Sequence, residues 1–520
     1  MQMKDNDAVL VTQEDPTDSG SPQPQERPGA VEVPDPRRFK ALVVIAMAQF
    51  MIVVDASIVN LAIPRAQADL GITAANVQWI VTAYTLTFGG LLLLGGRLAD
   101  YLGRKRILMA GLLGFALASL LGAIAPNAAA LFGARALQGV FAAMMAPAAL
   151  ALISVTFHDP KERAKAFGVF GAIAGGGAAV GLLAGGLLTE YFSWRWTLAV
   201  NTPFAILAAL LAVRYVRESR AEHRSSYDVA GGITVTLGLI ALVYGFTQAA
   251  PDGITDSAHW LEASTLVWFA AALALLVAFV IIELRVESPL LPMRVLLERN
   301  RGGAYLSSLF MAAGMFAMFL FLGLYMQTIL GYSPIRAGLA FLPFSIGVVL
   351  GAGLVSNLMP RVAPRFLMAP GLLAAATGMF WLAQLTPESN YVPSLIGPML
   401  ILSVGVAFIF VPAATVALHG AGSQDAGVAS AMINTSQQVG GSLGTALMNT
   451  VAVTTTATFL SAHLAQGESA MPAALTEGYT TGFYVGGALM IVAAIIVLSL
   501  IRVGTEELSE VDRSGHEVLS

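Results

Sequence analysis

The sequence predicts an all-α membrane protein built from two six-helix bundles with two further transmembrane helices inserted between them, fourteen spans in all. Three observations lead there. Of the 520 residues, 56% are hydrophobic and only 12% charged, with a mean hydropathy of +0.73, which leaves too little polar surface for a chain in water. The apolar residues fall into separate runs of about 20, the length at which an α-helix crosses roughly 30 Å of hydrocarbon. Lysine and arginine then alternate between the connections, 21 on one side and 3 (Arg65, Arg195, Arg336) on the other. A miscounted span in mid-chain would scramble that alternation.

Apolar runs and their breakers place six helices over residues 41–63, 77–96, 107–125, 128–155, 164–188 and 196–213. Two follow over 229–247 and 265–284, and six more over 302–329, 337–359, 367–385, 391–418, 428–460 and 482–500. The chain thus divides into a disordered tail (1–39), a first bundle (40–214), linkers with the inserted pair (215–300), a second bundle (301–502) and a second tail (503–520). Six prolines among acidic and small residues mark the first tail, which lacks the apolar core of a signal peptide. The basic side is expected to be cytoplasmic, with both termini on it. The six-two-six order suggests a duplication, the arrangement that places a transport site between halves.

Several chemistries find no support. There is no cysteine for a disulfide or a thiolate metal site, no Gly-x-x-x-x-Gly-Lys-[Ser/Thr] phosphate loop, and no metal-ligand spacing among the six histidines. Residues 440–444 match the hydrolase pattern G-x-S-x-G, but that elbow needs a strand, a turn and a helix, and this segment reads as an apolar helix. The acids Asp252, Asp256 and Glu262 between the seventh and eighth helices read as a solvated loop.

Two charges stand out inside the spans, where each costs about 2.5–3.5 kcal/mol at a helix centre. Asp55 lies in the first helix, nine residues before Pro64; Arg135 lies in the fourth, seven after its start at Ala128. Both therefore sit roughly 10–14 Å in from the same membrane face, at 1.5 Å per residue, and are matched in depth for a pair. A carboxylate in low dielectric favours its neutral form and a nearby guanidinium restores the charge, so a change in their separation would load and release a proton. A purely structural ion pair is the alternative. Gln138, one turn from Arg135, is placed to join the network or to bond another helix.

Three further constellations follow. Gly96, Asp100, Gly103, Arg104, Lys105 and Arg106 form a basic loop after the second helix, with glycines for a tight turn and an acid to pair with a base. Gly177, Gly181 and Gly185, with Gly186 beside them, bare one face of the fifth helix for close approach of a neighbour. Asn434, Gln437 and Gln438 put uncharged polar groups deep in the thirteenth helix, for substrate contact or for interhelical hydrogen bonds.

Together these residues resemble the fourteen-helix drug:proton antiporter family of the major facilitator superfamily, over nearly all of residues 40–502. The 96–106 loop is similar to the superfamily's gating motif, Arg135-x-x-Gln138-Gly139 to its proton-transfer motif, residues 55–64 to the first-helix motif of the fourteen-helix branch, and the glycine face to the antiporter motif. Leu182 stands where that last motif usually has proline. The resemblance implies alternating access in the cytoplasmic membrane, with Asp55, Arg135 and Gln138 in proton coupling. It implies a gating loop that holds the halves together when the outward path is open, a proton as coupling ion, and no organic cofactor or metal. The partners it implies are a small lipophilic substrate, protons and membrane lipids, with no nucleic acid, and a monomer. With no acid in the thirteenth helix, neutral or monocationic lipophiles fit better than multivalent cations. A dedicated exporter of one lipid, peptide or self-made antibiotic stays open, as does, more remotely, a polytopic membrane enzyme.

Overall fold

In hydrocarbon the backbone has no hydrogen-bond partner but itself, so long apolar runs fold as helices. The computed structural model describes residues 36–157, 159–220, 228–251, 258–287, 289–421, 425–463, 467, 469–505 and 507. Among these are fourteen helices long and apolar enough to span a membrane: Arg38–Leu61, Trp79–Leu102, Arg104–Ala123, Ala128–Thr156, Lys161–Tyr191, Trp196–Tyr215, Val229–Ala249, Ala263–Arg285, Arg299–Ile329, Pro334–Leu358, Pro364–Leu382, Val392–Leu418, Gly427–Ala462 and Met471–Leu500. They are called the first to the fourteenth helix below. No strand occurs among the described residues. Of the two expected tails, residues 1–35 and most of 503–520 lie outside the described residues, as do Asp252 and Asp256.

Two boundaries differ from the sequence reading. The second helix does not end near residue 96 but runs on through Leu102, and the third begins at Arg104. The expected loop is a single residue, Gly103, at φ 115°, a conformation that a side chain would strain. The polar residues at 97–101 mark where the helix leaves the membrane, not where it stops. The fourteenth helix starts at Met471, eleven residues before the expected 482, because Pro472 is tolerated in a first turn.

The ends carrying Gly103 and most of the lysines and arginines define a basic face; the ends carrying Pro64, Trp194 and Arg336 define the opposite face. The two bundles meet reciprocally. The second helix of the first bundle packs on the thirteenth, which is fifth in the second bundle, and the fifth packs on the tenth, which is second there. The first seam is joined in mid-helix by Thr85 Oγ1 and Ser442 Oγ, 2.6 Å apart, and toward the opposite face by Asn449, whose side-chain amide donates to the carbonyls of Ala74 and Ala75 at 3.0 and 3.2 Å. The second seam is tight only near the opposite face, where Ile335 N donates to Glu190 Oε2 at 2.9 Å. A Cβ on Gly186 would lie 2.8 Å from Ile335 Cα, and one on Gly338 would lie 3.0 Å from the Leu182 carbonyl. Toward the basic face, side chains at Gly168, Gly171 and Gly176 of the fifth helix and Gly353 of the tenth would meet no atom within 4 Å.

The core divides in two. One apolar cluster lies in the first bundle, with Val44, Ile45, Phe115 and Leu152, and Ala431 of the thirteenth helix packs against it; another joins the second bundle to the opposite-face ends of the first, where Leu61, Ile63 and Leu182 share a core with Ala337 and Phe341. The inserted seventh helix lies along the seam of the second and thirteenth helices. Its Thr247 Oγ1 accepts from Gln78 Nε2 and Trp79 Nε1 at 2.9 and 3.1 Å, and its Phe246 carbonyl accepts from Thr450 Oγ1 at 2.7 Å. The eighth packs on the seventh and is otherwise mostly exposed.

The mid-helix contact is testable in a chain without native cysteine. Thr85→Cys with Ser442→Cys is expected to form a disulfide on mild oxidation, since the two hydroxyl oxygens already approach to 2.6 Å. With a protease site placed within residues 221–227, the two fragments should stay joined after cleavage until reductant is added. Fragments that separate without reductant would rule out the seam.

Candidate functional site

The first, third, fourth and sixth helices converge on Asp55. Its Oδ2 accepts from Arg135 Nη1 at 2.7 Å, and its Oδ1 from Gln138 Nε2 at 3.0 Å and from Asn201 Nδ2 at 2.7 Å. Arg135 Nη1 also reaches Gln138 Oε1 at 2.8 Å, and Nε donates to the Ile80 carbonyl of the second helix at 2.9 Å. Gln138 Nε2 further contacts Ser119 Oγ at 2.8 Å. Asp55, Arg135 and Gln138 are each 0% exposed. The matched depths counted along the sequence thus correspond to a real ion pair.

Charges in so dry a place are held only if nearly every polar atom is occupied. Asp55 accepts three hydrogen bonds. Arg135 has one nitrogen, Nη2, with no acceptor; its guanidinium carbon lies 4.6 Å from the centre of the Tyr84 ring, so the ring face supplies part of the missing compensation. Gly139 explains itself by packing: a side chain there would strike the Tyr84 carbonyl and Thr87, so the helix carrying Arg135 could not lie against the second. Asn201 and Ser119 were not singled out by sequence reasoning. Their only signal is a polar residue in an apolar span, with Asn201 marked further by the Asn201-Thr202-Pro203 run near its start.

The glycine face of the fifth helix packs on the first, around Asp55. Gly177 meets Val53, Gly181 meets Ser57 and the Val54 carbonyl, and Gly185 meets the Ile58 carbonyl. Gly186, one position on, faces the tenth helix instead. Leu182, in place of the usual proline, leaves the fifth helix continuous and is 2% exposed.

The Gly96–Arg106 constellation ties down its own bundle. Asp100 Oδ1 accepts from Arg104 Nε and Nη2 at 3.0 and 2.8 Å, across the break at Gly103 between the second and third helices. Lys105 Nζ donates to the Val213 carbonyl at 2.9 Å, and Glu218 Oε1 accepts from Lys105 N at 3.1 Å while its carboxylate lies 3.6 Å from Arg106 Nε. A Cβ on Gly103 would lie 2.6 Å from that carboxylate. Gly96 lies against Pro147 of the fourth helix. In this conformation the motif's acid and bases therefore make no bond to the second bundle among the described residues; neighbouring Arg97 reaches toward it, donating to the Pro289 carbonyl at 3.2 Å.

Of the three polar residues in the thirteenth helix, Asn434 is exposed and Gln437 half-buried. Gln438 is part of the seam instead: its Cβ fills the gap left by Gly89 of the second helix, and its Oε1 is buried without a partner. Gly440, Gly441 and Gly444 pack against Leu309, Phe316 and Ala313 of the ninth helix, in continuous helix. At the opposite face, Asp69 accepts from Trp194 Nε1 at 3.0 Å and from Arg195 Nη1. Those bonds, Arg195 first, hold its carboxyl below the usual carboxylate range.

Two substitutions separate the ion pair from its support. Arg135→Ala leaves Asp55 buried without its counter-charge and is expected to lower stability by about 3–5 kcal/mol. Asn201→Ala removes one hydrogen bond to a charged group and is expected to cost about 1.5–3 kcal/mol. Thermal unfolding of the purified chain in detergent measures both, and equal effects would contradict this ranking.

The comparisons with known proteins bear on the family and the fold. Residues 45–445 match the family model described as Major Facilitator Superfamily. The puromycin resistance protein of Streptomyces alboniger is 46% identical over 488 residues, 92% of this chain and 95% of that one. The cephamycin export protein of Amycolatopsis lactamdurans is 38% identical over 463 residues, covering 88% and 91%. The solved structure of a bacterial homologue of the human lysosomal transporter Spinster superposes with a TM-score of 0.64 at 15% identity, covering 92% of this chain and 99% of that one, a likeness of fold alone. With fourteen spans, reciprocal bundle packing and a family match over most of its length, the chain is a multi-pass membrane protein that belongs to the Major Facilitator Superfamily.

Proposed function

We propose that the chain exports small lipophilic, drug-like compounds across the cytoplasmic membrane in exchange for protons, by alternating access, as a monomer with both termini in the cytoplasm. The observation that carries this reading is the position of Asp55: wholly buried, bound to Arg135, Gln138 and Asn201, and on the helix that the glycine face of the fifth helix grips. The names of the relatives, among them a lincomycin resistance protein, a tetracenomycin C resistance and export protein and a multidrug resistance protein, supply the substrate class and support a carrier rather than an enzyme.

The geometry suggests how the exchange runs. Arg135 stabilises the charged form of Asp55 and burial opposes it, so withdrawing the guanidinium favours uptake of a proton and its return favours release. The fifth helix rides on the first through glycines and touches the tenth through Gly186. A shift of the first helix that follows protonation is therefore felt at the opposite-face seam. On this reading the bundles part toward the basic face, the side from which an exported compound would enter. A proton and a substrate that favour different bundle arrangements are coupled by linkage, whatever the path between them. The thirteenth helix brings no acid, which favours neutral or monocationic cargo.

A second reading, a dedicated exporter of one antibiotic, is favoured by relatives named for single compounds, cephamycin and puromycin. Transport assays with chemically varied compounds separate the two.

In proteoliposomes carrying a pH-sensitive dye, adding puromycin or ethidium is expected to drive proton movement in the wild type and not in Asp55→Asn. Flux unchanged by the substitution would move the proton site elsewhere, and transport without proton movement would remove the antiport mechanism.

A further inference from the structure

The inserted helices hold an acid pair that the exchange above does not use. Asp228 caps the seventh helix, its Oδ1 accepting from Gly231 N at 2.7 Å. Glu283, two residues before the eighth helix ends, accepts through Oε2 from Leu291 N at 3.1 Å. They are only 3% and 4% exposed. Each keeps one oxygen, Asp228 Oδ2 and Glu283 Oε1, with no partner. Both unpaired oxygens converge on the bare α-carbon of Gly231, where a Cβ would strike Asp228 Oδ2 and lie 3.1 Å from Glu283 Oε1. The two carboxyl groups therefore border one small gap beside Gly231.

Two acceptor oxygens turned toward each other in a dry gap repel unless something positive lies between them. The nearest cation does not fill that role. Arg97 acts on Glu283 from the second helix, but its Nη2 is committed to the Pro289 carbonyl, and Asp228 and Arg97 are the charged groups that act on Glu283 among the described residues. A hard metal ion takes about six oxygen ligands or more, and among the described residues no three His, Cys, Asp or Glu gather to supply them. One proton satisfies both oxygens at once, bonded to one and hydrogen-bonded to the other.

We propose that Asp228 and Glu283 form a second proton-binding site, separate from Asp55, with one proton shared between Glu283 Oε1 and Asp228 Oδ2. The site grips the segment that leads to the second bundle. Glu283 holds Leu291 N on that segment while Arg97 holds the Pro289 carbonyl two residues earlier, so the same short stretch is tied to the eighth helix and to the second helix. Losing the proton sets two carboxylates against each other and pushes Glu283 from the end of the seventh helix. The tie between the inserted pair and the second bundle then loosens as pH rises at the basic face. Gly231 belongs to the site because only a residue without a side chain lets the two oxygens meet.

Infrared difference spectroscopy of the full chain in liposomes, stepped between about pH 5 and about pH 9 around the range in which a shared carboxyl proton titrates, reads this directly. The Asp55→Asn background removes the other buried carboxyl among the described residues. The expected result is a protonated-carboxyl stretch, shifted in D2O, that disappears in Glu283→Gln and in Asp228→Asn and is lost or displaced in Gly231→Ala. A band that persists in all three overturns the assignment, as does a band abolished by added sodium at fixed pH, which would mark a metal cation as the ligand. If the variants do not insert, the Asp55→Asn chain alone decides: complete ionisation of every buried carboxyl at about pH 6 overturns the site, and a retained, D2O-sensitive band upholds it.

Discussion

The constraint on which the first bundle depends is that a carboxylate with no access to water must find all of its hydrogen bonds inside the protein. Asp55 takes one from the fourth helix through Arg135, a second from the same helix through Gln138, and a third from the sixth through Asn201. Arg135 in turn needs the Ile80 carbonyl of the second helix and Gln138 needs Ser119 of the third. Five helices are thus fixed in register by one charge. Apolar packing alone gives lipid-embedded helices little reason to choose among rotations, because lipid tails are as apolar as the neighbouring side chains. The network supplies that choice, and Gly139 makes it possible by letting the second and fourth helices approach. A spare guanidinium nitrogen over Tyr84 leaves the arrangement short of full satisfaction.

The fifth helix carries the consequence outward. Three glycines one turn apart fit it to the first helix at Val53, Ser57 and Ile58, bracketing Asp55, and the next residue meets the tenth helix of the other bundle. Helix surfaces without side chains interlock poorly and slide at little cost, while a tight backbone approach still transmits displacement. Leu182 preserves this: a proline there would break a backbone hydrogen bond next to Gly181 and add a kink where the structure has continuous helix. The bundle seam at the opposite face is therefore one contact away from the buried charge.

How much of this was legible beforehand follows the physics of each signal. Fourteen spans and their alternation were legible because hydrophobic thickness and charge placement act on single segments. The Asp55–Arg135 pair was legible because depth in a membrane is counted along the chain, and only the lateral distance was hidden. Asn201 and Ser119 were not, since a neutral polar residue in a span has many uses and its neighbours come from distant helices. The glycine face announced a close contact but not its partner. The basic loop misled in one respect: Arg97, Asp100 and Tyr101 mark a membrane boundary by composition, and the helix runs straight through them to Gly103. Glu283 escaped notice for the same reason. It lies within the span read at 265–284, but next to Arg285 it looks like a boundary residue, and only the fold shows it shut in against Asp228.

The two bundles share a packing scheme yet differ in what they bury. Among the described residues, the first encloses Asp55 and Arg135 at depth, whereas the buried charge of the second, Arg301, sits at the basic-face start of its first helix. Elsewhere the second bundle is joined by glycines against aliphatic and aromatic side chains, as at Gly440, Gly441 and Gly444. A bundle held by directional bonds has a few discrete arrangements, while one held by apolar contact accommodates many small ones. Under the proposed exchange, a buried charge in the first bundle and mainly apolar packing in the second would make the first the element that switches and the second the element that follows. The inserted helices respect that division. They cover the seam of the second and thirteenth helices, which is bonded in mid-helix, and leave bare the seam of the fifth and tenth, which is bonded at the opposite face. The covered seam is placed to act as the pivot, and the bare one has room to open.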